Sequence, residues 1–138
     1  MEQLILHLFG DYISQSDWMA NNKTKSHLAA WCHALVYSLP FLLITGERAW
    51  LVILWTHFFI DRYRLARFVV YVKNRYLQPR PESYEFPARH EWEEKWSWEN
   101  CKGTGYPSDA PPWLAVWLLI AADNTLHLMI NYAAIRWL

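Results

Sequence analysis

The sequence predicts an all-α fold: a four-helix membrane bundle with a polar loop or short interfacial helix between its third and fourth helices. Three observations carry this expectation. Apolar residues recur at helical spacing in four long segments of the 138-residue chain. The apolar share is 54%, above the roughly 45–50% usual for soluble domains. Within those segments stand three His/Asp pairs four residues apart: His7/Asp11, His57/Asp61 and Asp123/His127. Ionisable groups in such surroundings are costly and mark function.

The length suits a single helical domain over residues 1–138, with helices over about 3–20, 26–45, 48–75 and 111–137. In the first, Leu4, Ile5, Leu8, Phe9, Tyr12 and Ile13 form an apolar stripe, while His7 and Asp11 share another. Its second half, with Ser14, Gln15 and Asp17, is too polar to cross a bilayer without partners. Asn21–Lys25 breaks the pattern, and Ser26 or Thr24 is the expected N-cap of the second helix. That helix carries His33 and the kink-capable Pro40, and is expected to stop at Gly46. A short connection then favours an antiparallel third helix, apolar through Ile60. It continues as an amphipathic stretch with Arg62, Arg64, Arg67, Lys73 and Arg75, whose long side chains suit anionic head groups.

From residue 76 to 110 the chain turns polar. Gln78–Glu82 is Pro-rich linker material. Glu85–Asn100 carries Trp92, Trp96 and Trp98 among charges, as a short interfacial helix would, and Lys102–Pro107 is a loop. The last helix has prolines in its first turn, where a missing N–H does little harm.

Composition narrows function. Net charge is zero and no basic stripe interleaves with exposed aromatics, so nucleic acid is not an expected partner. Cys32 and Cys101 form neither a metal-ligand spacing nor a disulfide framework. The N-terminus lacks a basic n-region and a cleavage site, unlike a secretory signal. Ten Trp and eight Tyr favour a membrane–water interface. If all four helices cross, Lys23, Lys25 and the arginines after Asp61 put two connections on the cytoplasmic side, with both termini opposite; a first helix that does not cross would invert this for the N-terminus. The expected setting is a multi-pass protein of a bacterial inner membrane, with lipid as partner and self-association open.

Six histidines and five aspartates placed at random would give fewer than one pair at a separation of four. Three pairs in apolar helices point to a shared site, because buried carboxylates need a cation. A divalent metal supplies one, and helical bundles hold such ions between facing helices. The candidate ligands are His7, Asp11, His33, His57, Asp61, Asp123 and His127. Imidazole with carboxylate suits zinc first, with manganese or iron as alternatives. Seven candidates could also serve two ions. Asp17 and Asp123 are the candidate catalytic carboxylates, a spare one acting as general base.

The run His7-Leu-Phe-Gly-Asp11-Tyr-Ile-Ser-Gln15-Ser-Asp17-Trp-Met resembles the opening of a family of small phage and bacterial membrane proteins, domain of unknown function 3307. Lys25, His33, Thr56-His57-Phe-Phe-Ile-Asp61 and Asp123-Asn124-Thr-Leu-His127-Leu resemble its later blocks in order, with Asn124 where the family pattern has Gln. The resemblance implies a polytopic membrane protein and no particular reaction. Joined to the His/Asp pairs, it gives three expectations. The first is a metal-dependent hydrolase acting on a phosphate-containing lipid or nucleotide at the cytoplasmic face. The second is a non-enzymatic phage-type protein that modifies the host envelope or excludes other phages, with a structural metal. The third is proton or ion conduction.

Overall fold

The computed structural model describes residues 1–78 and 88–138, and the described residues are helical with no strand. The chain forms two compact units, Met1–Leu65 with Asn124–Leu138, and Ala66–Asp123.

The first unit opens with α1 (Glu2–Leu8), followed by a π-helical turn over Phe9–Ile13. The Ser14 N–H donates to Phe9 O at 2.9 Å, five residues back. The expected continuous helix over 3–20 is interrupted by its own serines. Ser14 Oγ donates to Gly10 O at 3.0 Å, and Ser16, in extended backbone, accepts from the Met19 N–H at 3.3 Å. Such side-chain bonds compete with the helical ladder, and Ser16 thereby caps a separate α2 (Asp17–Asn22). Gly10 lies against the Tyr37 ring, where a Cβ would overlap it. Gly10→Ala should therefore lower stability by about 1–3 kcal/mol, read as an earlier thermal melt in detergent.

Ser26 caps α3 (His27–Ser38) by accepting from the Ala29 N–H. The helix then tightens into a 3-10 turn, Leu39–Leu43, around Pro40, which has no N–H to continue the α ladder. Gly46 does not stop this helix as expected: its extended backbone (ψ 168) makes it the N-cap of α4 (Glu47–Tyr63). Tyr37, Phe41, Ala49, Ile53 and Ala134 form one apolar core, and Ala30, Ala34, Leu54 and Phe58 a second.

The predicted third helix over 48–75 is two helices. α4 ends at Arg64, whose φ of 53 is left-handed. The Leu65 N–H reaches back to Ile60 O at 2.9 Å and the Arg64 N–H to Asp61 O at 3.2 Å. This bond pair closes a helix through a left-handed residue, a place usually taken by Gly. With arginine there, no glycine marks the boundary.

The second unit begins with α5 (Ala66–Leu77) and continues with α6 (Ala88–Lys95), α7 (Trp98–Cys101) and the first part of α8 (Pro112–Trp137). The expected interfacial helix over 85–100 is thus two short ones, parted where Ser97 caps α7. Apart from Gln78, the expected linker lies outside the described residues. Gly105, at φ 83, is required: a Cβ there would come within 2.5 Å of Arg67 O. The basic residues of α5 lie over aromatic rings, Arg75 4.3 Å from the Trp92 centroid and Arg67 4.9 Å from that of Phe68. Burial, with Asp109 nearby, pushes the Cys101 thiol up to about 11, so it is no nucleophile.

Among the described residues, α8 alone is long and apolar enough to cross a membrane, and only 11% of its most apolar window is buried. His27–Leu43 is apolar but shorter. The all-helical class therefore holds at the level of helices, and one crossing has a direct candidate rather than four. In the first unit several polar side chains are buried beside the apolar clusters, while large apolar ones are exposed. His7, His33, His57, His127 and Asn131 are at most 1% exposed, whereas Leu43, Ile13 and Leu28 are 84%, 73% and 65% exposed.

Candidate metal centre

Four elements of the first unit each place polar side chains in its interior. The π turn carries Asp11, α3 carries His33, and α4 carries His57 and Asp61 one turn apart. The Asn124–Leu138 part of α8 adds His127. A π turn adds one residue to a helical turn, and such turns recur at functional sites.

Asp11 Oδ1, His33 Nε2, His57 Nε2 and Asp61 Oδ2 converge. His33 Nε2 lies 2.9 Å from His57 Nε2, 3.0 Å from Asp61 Oδ2 and 3.2 Å from Asp11 Oδ1. His57 Nε2 lies 3.2 Å from Asp61 Oδ2 and 3.5 Å from Asp11 Oδ1. One donor atom from each of the four residues falls within 4.8 Å of the others. An imidazole nitrogen has either one hydrogen or one lone pair, so His33 Nε2 cannot satisfy three such neighbours. Asp11 Oδ1 is buried without an aligned hydrogen bond among the described residues, and Asp61 Oδ2, which also lacks one, has the Lys23 ammonium 2.9 Å away as an ion pair.

A divalent cation held between the four side chains would resolve the conflict. Ligands about 2.0–2.1 Å from a tetrahedral zinc stand about 3.3 Å from one another, and the five distances above bracket that edge. The donor set, two imidazoles and two carboxylates, is one that zinc, manganese or iron accepts.

Around these four lies a shell of fixed partners. The His57 ring stacks on Tyr37, with centroids 3.5 Å apart and 15° between planes. Its Nδ1 meets His127 Nδ1 at 3.1 Å, and His127 Nε2 meets Asp61 Oδ1 at 3.4 Å. Asn131 Nδ2 donates to the Tyr37 hydroxyl at 2.7 Å, and that hydroxyl stands 2.9 Å from His7 Nδ1. The consistent assignment has Tyr37 donating to Nδ1 and His7 Nε2–H donating to Asn124 Oδ1 at 3.2 Å. Such outer partners hold ligand rings in one orientation. Asn124 also donates from Nδ2 to the Tyr12 hydroxyl at 2.8 Å.

Of the seven ligand candidates, four therefore meet at one point. His7 and His127 stand one layer out, each contacting an Asp of the cluster, with His7 Nδ1 3.4 Å from Asp11 Oδ2. Asp123 is half-buried on α8, one turn before His127, and belongs to the second unit. Asp17 is exposed at the start of α2 and accepts from Asn21 Nδ2 at 2.9 Å, outside the cluster.

Three participants are not among the residues that the sequence singles out for the site. Tyr37 and Asn131 lie four residues beyond His33 and His127, so extending the same spacing finds them. Lys23 carries only a topological meaning in the sequence. Its Nζ lies 2.9 Å from Asp61 Oδ2 and 3.3 Å from His33 Nε2.

Residues 1–80 match the family described as a protein of unknown function (DUF3307). The chain belongs to this family. The matched residues include Asp11, His33, His57 and Asp61 and so span the whole converging set. The Asp123–His127 block, although it resembles a later family block, lies beyond the match. No curated protein and no solved structure matches the chain.

Proposed function

We propose that this member of the family is a membrane-embedded metalloprotein, a hydrolase acting on a phosphate-containing lipid or nucleotide at the cytoplasmic face. The observation that carries the reading is the meeting of His33 Nε2 and His57 Nε2 at 2.9 Å with both carboxylates turned toward them. The membrane setting is supported by the large apolar side chains exposed on the first unit, and by α8 as a candidate span. The bacterial inner membrane, crossed more than once, is the location that the lysine and arginine pattern favours.

In this reading Asp11, His33, His57 and Asp61 are the ligands. A divalent ion held there supplies a Lewis acid able to activate water and polarise a phosphoryl oxygen. Asp11 is the ligand suited to yield a position, since its side chain is 10% exposed against 4% for Asp61 and at most 1% for the two histidines. With an ion bound, the Asp11 carboxylate would be the nearest base for a proton from water beside the site. Asp123 and Asp17 are the other candidate bases, and His7 and His127 orient the ligands.

A second reading is favoured by the completeness of the set. Four protein donors fill a tetrahedron, as in structural zinc sites, whereas catalytic sites keep one place open. The protein would then act without catalysis, on the host envelope or against competing phages.

Metal content of the detergent-purified protein is the first test. About one equivalent of zinc, manganese or iron is expected, and a folded, metal-free wild type would overturn both readings. With metal present, chelator-sensitive release of phosphate from phospholipid or nucleotide substrates supports the hydrolase. Its absence across both classes favours the structural reading. Extraction of the native protein by carbonate without detergent would remove the membrane assignment.

A further inference from the structure

We propose that Lys23 is the resident counter-cation of the cluster: it gives up Asp61 Oδ2 when a divalent ion loads, and then holds the anionic group of the substrate beside that ion. The inference rests on the metal reading above and adds a residue to it.

The geometry is specific. Lys23 follows α2 in the connection to α3, and its side chain, 20% exposed, is the most open member of the group. Its ammonium lies 2.9 Å from Asp61 Oδ2 and 3.3 Å from His33 Nε2, and both atoms belong to the converging set. The nitrogen thus stands at one side of the space that the ion would fill. The one lone pair of His33 Nε2 cannot serve both the ammonium and an ion, and two cations beside Asp61 Oδ2 repel in a poorly solvated site. Loading must therefore move the ammonium, and the flexible four-carbon stem allows the move outward.

Charge sets its next role. Before loading, one ammonium offsets one of the two carboxylates. After loading, the divalent ion offsets both, and the lysine charge is left in excess at the open edge of the cluster. Arg62 lies nearby, its guanidinium donating to Thr24 O at 2.8 Å, the residue after Lys23. A site with that surplus attracts anions, and a phosphoryl group matches a compact lysine point charge.

Lys23→Met and Lys23→Arg, purified in detergent, test this with zinc alone and with inorganic phosphate. Lys23→Met should bind zinc roughly tenfold more tightly than wild type in competition with a chromophoric chelator, because the internal competitor is gone. Its zinc-loaded form should bind inorganic phosphate at least about tenfold more weakly, while Lys23→Arg, which keeps the charge, retains phosphate binding. Equal zinc affinity in wild type and a folded Lys23→Met overturns the exchange, and unchanged phosphate binding overturns the anion role. If Lys23→Met does not fold, Lys23→Gln carries the same comparison. A wild type that binds no zinc, manganese or iron is a failure of the metal reading itself and is recognised before any variant is compared.

Discussion

Asp61→Asn should empty the proposed metal site while leaving α4 folded. Asp61 is the most connected member of the cluster: Oδ2 faces Lys23, His33 and His57, and Oδ1 faces His127. Asparagine keeps the shape but removes the charge, and an amide is a poor ligand beside two neutral imidazoles. Loss of an outer partner costs roughly 10–100-fold in metal affinity. Loss of this ligand should cost about a thousandfold or more, enough to leave the purified protein metal-free by elemental analysis. His57→Ala should do the same but also opens a hole against Tyr37, so its effect mixes ligation with packing. Asp17→Asn is the control. Exposed and bonded to Asn21, Asp17 should leave metal content unchanged. A fall in turnover at full metal occupancy would then assign it to the reaction. Retention of metal by Asp61→Asn would show that the four atoms meet for another reason.

How much of the site is legible in the sequence depends on the scale of the interaction. The spacing of four between His7 and Asp11 and between His57 and Asp61 is a local property of a helix, so the residue order alone points to the cluster. Which of the seven groups share a point is not local. It depends on how α3 and α4 pack and on a π turn at Phe9–Ile13 that has no sequence marker, and it separates His33 from His7. The helix breaks follow the same division. Ser26 is readable as a cap because serine there acts on its own neighbours, whereas Arg64 in a left-handed conformation offers no glycine to read. Lys23 is the largest omission. A lysine in a connecting segment ordinarily means solvent or topology, and only the fold brings it against Asp61.

Removing the metal should destabilise the wild type. Asp11 and Asp61 are two carboxylates within one small, poorly hydrated volume, and without the ion the fixed positive charge of Lys23 faces Asp61. Burying an uncompensated charge costs several kcal/mol. An ion present at a hundred times its dissociation constant stabilises the folded state by about 2.7 kcal/mol. For a chain of this size that corresponds to a fall of roughly 10 °C in melting temperature on chelation, read in detergent by loss of helical signal. The sign is fixed by linkage: a ligand that binds only the folded state raises its stability, so adding zinc back must restore the transition. Asp61→Asn makes the test specific. That variant has no ion to lose, so chelator should leave its melting temperature unmoved. A wild type equally indifferent to chelator would mean that any bound ion contributes nothing to the fold. An Asp61→Asn variant that still responds would place the ion elsewhere in the chain.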